Sequence, residues 1–166
     1  MNSIKSCVLT INGGSSSIKV ASYEIDESLK LFYGEIEGIG TKHTKLSFTN
    51  TITNQKNSVN IKTVDHDDAV NFLIDWLEKQ DYFASVKAIG HRIVHGMKHT
   101  EPEQITPELL DELKAISAYD PEHLPGEIRL IEMFQERYPS LVQIACFDTT
   151  FHTSIAFSCK LAIYST

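Results

Sequence analysis

Four short polar stretches hold the residue types that anion and phosphoryl chemistry needs: "NGGSSSIK" from Asn12 to Lys19, His91-Arg92 with His95, Pro121-Glu122-His123, and "DTTFH" from Asp148 to His152. In the first, two glycines and three serines lie between the apolar runs Cys7 to Ile11 and Ile18 to Tyr23. A strand, a tight turn and a second strand there would gather backbone N–H groups and hydroxyls at one tip, a geometry that holds phosphate. The same letters also make an ordinary hairpin. Arg92 sits inside an apolar run, where a guanidinium needs an anionic partner, either a bound anion or a carboxylate of the chain such as Asp148. His91, His95 and His123 are each open to reading as satisfied core or surface histidines. Asp148 could cap the turn that follows it, and His152 beside Thr149 and Thr150 suggests a hydrogen-bonded corner. No GxSxG, HExxH or Walker GxxxxGK[ST] occurs, and Lys19 follows "GGSSSI" at the wrong spacing for a P-loop. From the residues alone, the reading reaches an anion or phosphate site with Arg, His and Asp available.

The elements that must position these residues follow from periodicity. Residues 7 to 11, 17 to 25 and 29 to 37 are rich in Val, Ile, Tyr and Phe and are separated by turn residues, which predicts an antiparallel meander. Residues 45 to 62 add two weaker strands, with Asn50, Asn54 and Asn57 as turn formers, expected as an exposed hairpin. The period then changes. Ala69, Val70, Phe72, Leu73, Trp76 and Leu77 follow an acidic "DHDD" start and predict a helix over about 66 to 80. "VKAIGHRIVHG" (86 to 96) reads as a strand, "TPELLDELKAIS" as a helix capped by Thr106, "PGEIRLIEMFQERY" as a second helix, and "LVQIACFDTTFH" (141 to 152) as a buried strand delivering Asp148. Antiparallel strands followed by strands alternating with helices make a mixed α/β sheet. All four polar clusters fall near strand ends, which converge at one edge of such a sheet, where ligands bind.

The chain has 166 residues and 42% hydrophobic composition, enough for one well-packed core. Its net charge of −7, from 22 acidic and 15 basic residues without a basic run, gives no footprint for nucleic acid or an anionic membrane. Cys7, Cys146 and Cys159 are widely spaced with no CxxC pair, so reduced core thiols and a cytoplasmic location are expected. The first residues lack a charged segment leading into an apolar stretch, so no signal segment is expected, and no apolar run of about 18 residues occurs in the sequence. The last stretch, "SIAFSCKLAIYST", shows no stop signal, and the chain is expected to be cut inside a segment.

In this order the clusters resemble the amino-terminal lobe of the acetate kinase family, the acetokinases or acyl kinases. "VLTINGGSSSIKV" looks like that family's amino-terminal signature, "IGHRIVHG" its arginine motif and "CFDTTFH" its third motif, while "DPEHLP" sits at its Pro-x-His-x-Pro segment. The resemblance runs from 7 to 152. It implies a two-lobed, actin-like and ribonuclease-H-like ATPase fold (the ASKHA superfamily), of which residues 1–166 would make the first lobe, the nucleotide-binding lobe being absent from them. It also implies a magnesium-dependent enzyme that reversibly transfers the γ-phosphoryl group of ATP to acetate or propionate, giving acyl phosphate and ADP. The full-length form would be a homodimer.

Position by position, Asn12 matches the asparagine near magnesium and phosphate, Ser15 and Ser17 the hydroxyls of the phosphate-facing hairpin, and Lys19 its basic residue. Arg92 matches the arginine that holds the acyl carboxylate and the moving phosphoryl group, His123 a histidine beside the transfer site, and Asp148 the carboxylate near magnesium. Val94 falls at the apolar wall facing the acyl methyl. Three positions depart from the family's pattern. Gly13 replaces a common alanine, which a tight turn accepts without harm. Met97 replaces a usual glycine. Glu122 replaces an apolar pocket residue, so it either turns away or alters acyl preference, because a carboxylate beside a carboxylate repels it. The fragment is expected to be inactive alone. The alternatives are a non-catalytic module of the same fold that binds an acyl phosphate or a partner, and another actin-like ATPase, which would lack the "HRIVHG" and "FDTTFH" pair.

Overall fold

Early in the chain, apolar residues recur at every second position, the spacing that turns one side of a strand toward a core. In the structure, a computed structural model that describes residues 5–62 and 65–148, they form β1 (Cys7–Gly13), β2 (Ser17–Glu24), β3 (Lys30–Glu37), β4 (Lys45–Asn50) and β5 (Gln55–Asn60). Each pairs antiparallel with the one before it. β5 is exposed along its whole length, as the polar "NTITNQKN" stretch predicts. Beyond the meander, β6 (Val86–Ile93) lies parallel to β1, and β8 (Val142–Phe147) lies parallel to β6. A two-residue strand, β7 (Glu103–Gln104), closes the edge antiparallel to β8, giving the sheet order β5-β4-β3-β2-β1-β6-β8-β7.

The helices begin where their capping chemistry places them. Asp65 accepts from the Asp68 N–H at 3.0 Å to start α1 (His66–Glu78), and the Thr106 hydroxyl accepts from the Leu109 N–H at 3.2 Å to start α2 (Pro107–Ile116), with Pro107 in its first turn. α3 (Leu124–Arg137) starts with His123 at its cap position but without a side-chain cap bond. Leu73 and Leu77 of α1 and Leu130 and Phe134 of α3 pack on Leu9, Ile11 and Ile18, while Leu109 and Leu113 of α2 and Ile128 and Ile131 of α3 cover Ile93 and Phe147. Each such side chain contributes roughly 1.5–3 kcal/mol on burial. These contacts put all three helices on one face of the sheet. The strand period then decides what faces the other way. Leu9 and Ile11 turn to the helices, so Thr10 and Asn12 do not; Ile93 turns to them, so Arg92 does not; and Phe147 turns to them, so Cys146 and Asp148 do not.

The strand expected over 86 to 96 ends at Ile93. Three residues on, Gly96 is buried against Phe147, and a Cβ placed there would lie 2.3 Å from ring Cδ1 and 2.8 Å from Cγ. A rigid ring cannot yield as a flexible side chain does. Gly96→Ala is therefore expected to destabilise the protein by about 1–3 kcal/mol through overpacking, read as a lowered melting midpoint; an unchanged midpoint would show that Phe147 moves freely. Met97 follows with φ 53°, a left-handed conformation that costs a non-glycine residue about 1–2 kcal/mol. This is the physical reason glycine suits that position. β8 likewise stops at Phe147, with Asp148 just beyond it; Thr149 to His152 and Cys159 lie outside the described residues. Cys7 and Cys146 are buried as expected.

Candidate active site

Because β1, β6 and β8 run parallel to one another, their carboxyl ends open at one edge. Asn12 is the next-to-last residue of β1, Arg92 the next-to-last of β6, and Asp148 the first past β8. The three meet. Arg92 Nε donates to Asp148 Oδ1 at 2.8 Å, Nη2 donates to Oδ2 at 2.6 Å, and Nη1 donates to Asn12 Oδ1 at 3.3 Å. Arg92 and Asp148 are only partly buried, with side-chain exposures of 30% and 21%. The carboxylate partner that a guanidinium in an apolar strand demands is thus Asp148. Its hydrogen bonds push the guanidinium still further above its ordinary value, so Arg92 stays charged at any working pH.

The glycine-serine hairpin closes through the Gly14 N–H donating to Ser17 O at 2.7 Å, and its tip is tied down by the Ile39 N–H donating to Ser16 O at 3.1 Å. Ser15 is exposed and Ser17 half-buried. At Gly13 a Cβ would lie 2.6 Å from Leu130 Cδ1, so the missing side chain lets α3 pack close under the hairpin. Lys19 stands directly across from Asn12 in the β1–β2 register, exposed, with Nζ 3.8 Å from Glu35. From this pair an open cavity of about 630 Å³ runs over the meander past Thr10, Tyr33, Glu35 and Ser47.

His123 belongs to a neighbouring group. Its Nδ1 lies 2.9 Å from Asp120 Oδ1, and the other Asp120 oxygen lies 3.9 Å from His95 Nε2. Asp120 is 8% exposed. Burial alone would raise its carboxyl, but the hydrogen bond and charge of His123 and the charge of His95 hold it below the usual range, while Asp120 in turn raises His123. His91 has a different fate. It is buried on the helix side with its ring 2.6 Å from Gln143 Oε1, and burial lowers it to about 4, so it is a neutral core histidine. Glu122 is exposed in the turn before α3. Val94, half-buried, is the first residue past β6, and its N–H is held by the carboxylate of Glu127.

The acetokinase family model matches residues 7–165. The chain belongs to the acetokinase family. It is 38% identical over 152 residues to an acetate kinase of Rhodopseudomonas palustris, covering 87% of this chain and 38% of that protein, and 34% identical over 150 residues to a propionate kinase of Salmonella agona, covering 90% and 36%. Among solved structures, a propionate kinase from Francisella tularensis superposes with a TM-score of 0.80 at 34% identity over 89% of this chain and 38% of that one. Acetate kinase from Porphyromonas gingivalis follows the same course, with a TM-score of 0.78 at 29% identity over 88% and 38%. The chain therefore spans about two fifths of the length of the acetokinases it matches. Its mixed sheet with flanking helices is the amino-terminal part of an actin-like ATPase lobe.

Two residues beside this group escaped the sequence reading. Asp120 joins His95 to His123, and Glu127 joins the strand end of Arg92 to α3. The available signal was a charge at a core position: Glu127 immediately precedes Ile128 on the apolar stripe of α3. For magnesium, the Asp148 carboxylate and the Asn12 amide oxygen are hard donors that already converge on one cation, the guanidinium. Magnesium takes one or two protein oxygens and completes its shell with water and phosphate. Two hard oxygen donors fit that limited demand; among the described residues no three His, Cys, Asp or Glu gather around one point.

Proposed function

We propose that this chain forms the acyl- and phosphate-facing wall of an enzyme that transfers the γ-phosphoryl group of ATP to acetate or propionate, reversibly giving acyl phosphate and ADP. The observation that carries the reading is the bonded Asn12, Arg92 and Asp148 group at the carboxyl ends of three parallel strands. Bringing a carboxylate to a phosphoryl group joins two anions, so catalysis consists mainly of positioning and charge screening along an in-line path. Arg92 supplies a permanent guanidinium charge, held in place by Asp148 and Asn12, that screens either anion. His123, kept protonated to higher pH by Asp120, adds a second positive donor near the transfer site. Ser15, Ser17 and Lys19 hold the phosphate chain, and Val94 walls the acyl methyl. Asp148 and Asn12 would hold magnesium, which when bound would offset phosphate charge. The relatives named acetate kinase and propionate kinase support a short carboxylate as acceptor. The resemblance further supports a homodimeric, cytoplasmic full-length form; the acidic composition supports neither nucleic acid nor an anionic membrane as partner.

The 166-residue chain assayed by itself is expected to make no acyl phosphate from ATP, magnesium and acetate in a hydroxylamine-trapping assay. One wall cannot hold both reactants at near-attack distance or close over them. Joined to the remaining length of the R. palustris acetate kinase, it should recover turnover. Turnover by the isolated chain within about tenfold of a full-length relative would overturn the two-walled reading. An inactive fusion that folds would instead favour a binding module.

A further inference from the structure

We propose that Glu127 is a positioning residue of the Arg92 centre: its carboxylate clamps the backbone N–H of Val94 and so fixes where the Arg92 strand ends and how the acyl wall faces the substrate. Both carboxylate oxygens lie 3.3 Å from Val94 N, and Glu127 is 3% exposed, in the first turn of α3. Val94 is the first residue beyond the β6–β8 pairing, which stops at Ile93 opposite Phe147. Its N–H therefore finds its acceptor in α3 instead of in the next strand. One bond thereby joins the helix that starts at His123 to the strand that carries Arg92. A neutral amide would satisfy the same N–H without the cost of a buried charge, so the acid itself asks for an explanation.

The ionisable and charged groups facing Glu127 are Asp120 before α3, His123 at its cap, Asp148 past β8 and Arg92 on β6. Burial, with the charges of Asp120 and Asp148, raises the carboxyl to about 7 against the lowering effects of the Val94 N–H and His123. The sign follows. An anionic substrate on Arg92 is repelled by an ionised Glu127, so the protonated form binds it more tightly and the carboxylate KM rises as pH increases through that range.

The inference rests on the acyl-kinase reading above, and the test separates the two. In the complete enzyme, Glu127→Ala is expected to speed hydrogen exchange at Val94 by about tenfold or more while Ile89 in mid-strand is unchanged. It should also lower kcat/KM for acetate by roughly tenfold. Glu127→Gln should keep Val94 exchange near the wild-type rate but flatten the rise of the acetate KM between roughly pH 6 and 8. Wild-type exchange at Val94 in Glu127→Ala, or a Glu127→Gln profile that superimposes on the wild type, overturns the proposal. If Glu127→Ala does not fold, the two Glu127→Gln readouts decide. A folded wild-type enzyme inactive on both acetate and propionate sinks the acyl-kinase reading instead, and Val94 exchange still judges the clamp.

Discussion

Arg92→Ala in the complete enzyme is expected to lower acyl phosphate formation by roughly 10³-fold, the scale of losing a guanidinium that screens charge in phosphoryl transfer. The loss should fall on kcat as well as on the carboxylate KM, because the same positive charge meets the ground-state anion and the developing charge. Arg92→Lys separates two explanations. A point charge restores the sign but not the two parallel hydrogen bonds seen from Nε and Nη2 to Asp148, so it should recover only part of the activity. Circular dichroism and the melting midpoint check that the fold survives. Near-normal hydroxylamine-trapped product from Arg92→Ala would remove this residue from the mechanism and leave its pair with Asp148 as structure.

Much of this was legible because it depends on local rules. The meander follows from alternation, α1 and α2 from the acidic start at Asp65 and from Thr106 at their caps, and the convergence of Asn12, Arg92 and Asp148 from their places at strand ends. The missed features depend on distant partners. β7 has two residues and carries no period of its own; it exists because β8 offers an edge at Ala145 and Ile144. The end of β6 at Ile93 is set by Glu127, which lies 33 positions away from Val94 along the chain. Whether His91 or His95 would face the site could not be settled from spacing alone. The structure decides it through Gln143, whose amide satisfies both the His91 ring and, at 3.2 Å, the Ile131 carbonyl on the buried side.

Asp148→Asn is expected to reduce turnover by about 10²–10³-fold and to raise the magnesium concentration needed for what remains. The reason lies in what the carboxylate does at once. Its two oxygens accept both prongs of Arg92 at 2.8 and 2.6 Å. An amide keeps one acceptor but turns an NH2 donor toward a group that has only donors. The guanidinium would then lose one prong and swing toward Asn12 or solvent, while the site loses the negative charge that would offset magnesium. A structural role for Asp148 predicts a different pattern: a lowered melting midpoint with an unchanged magnesium requirement in the surviving activity. Asp148→Glu distinguishes the two further. It restores the charge on a longer stem, so it should recover the magnesium requirement more than the rate, because in-line transfer tolerates little displacement of the groups that aim it. Wild-type turnover and an unchanged magnesium titration in Asp148→Asn would assign the Arg92 pair to stability alone and move the metal contacts to residues outside this wall.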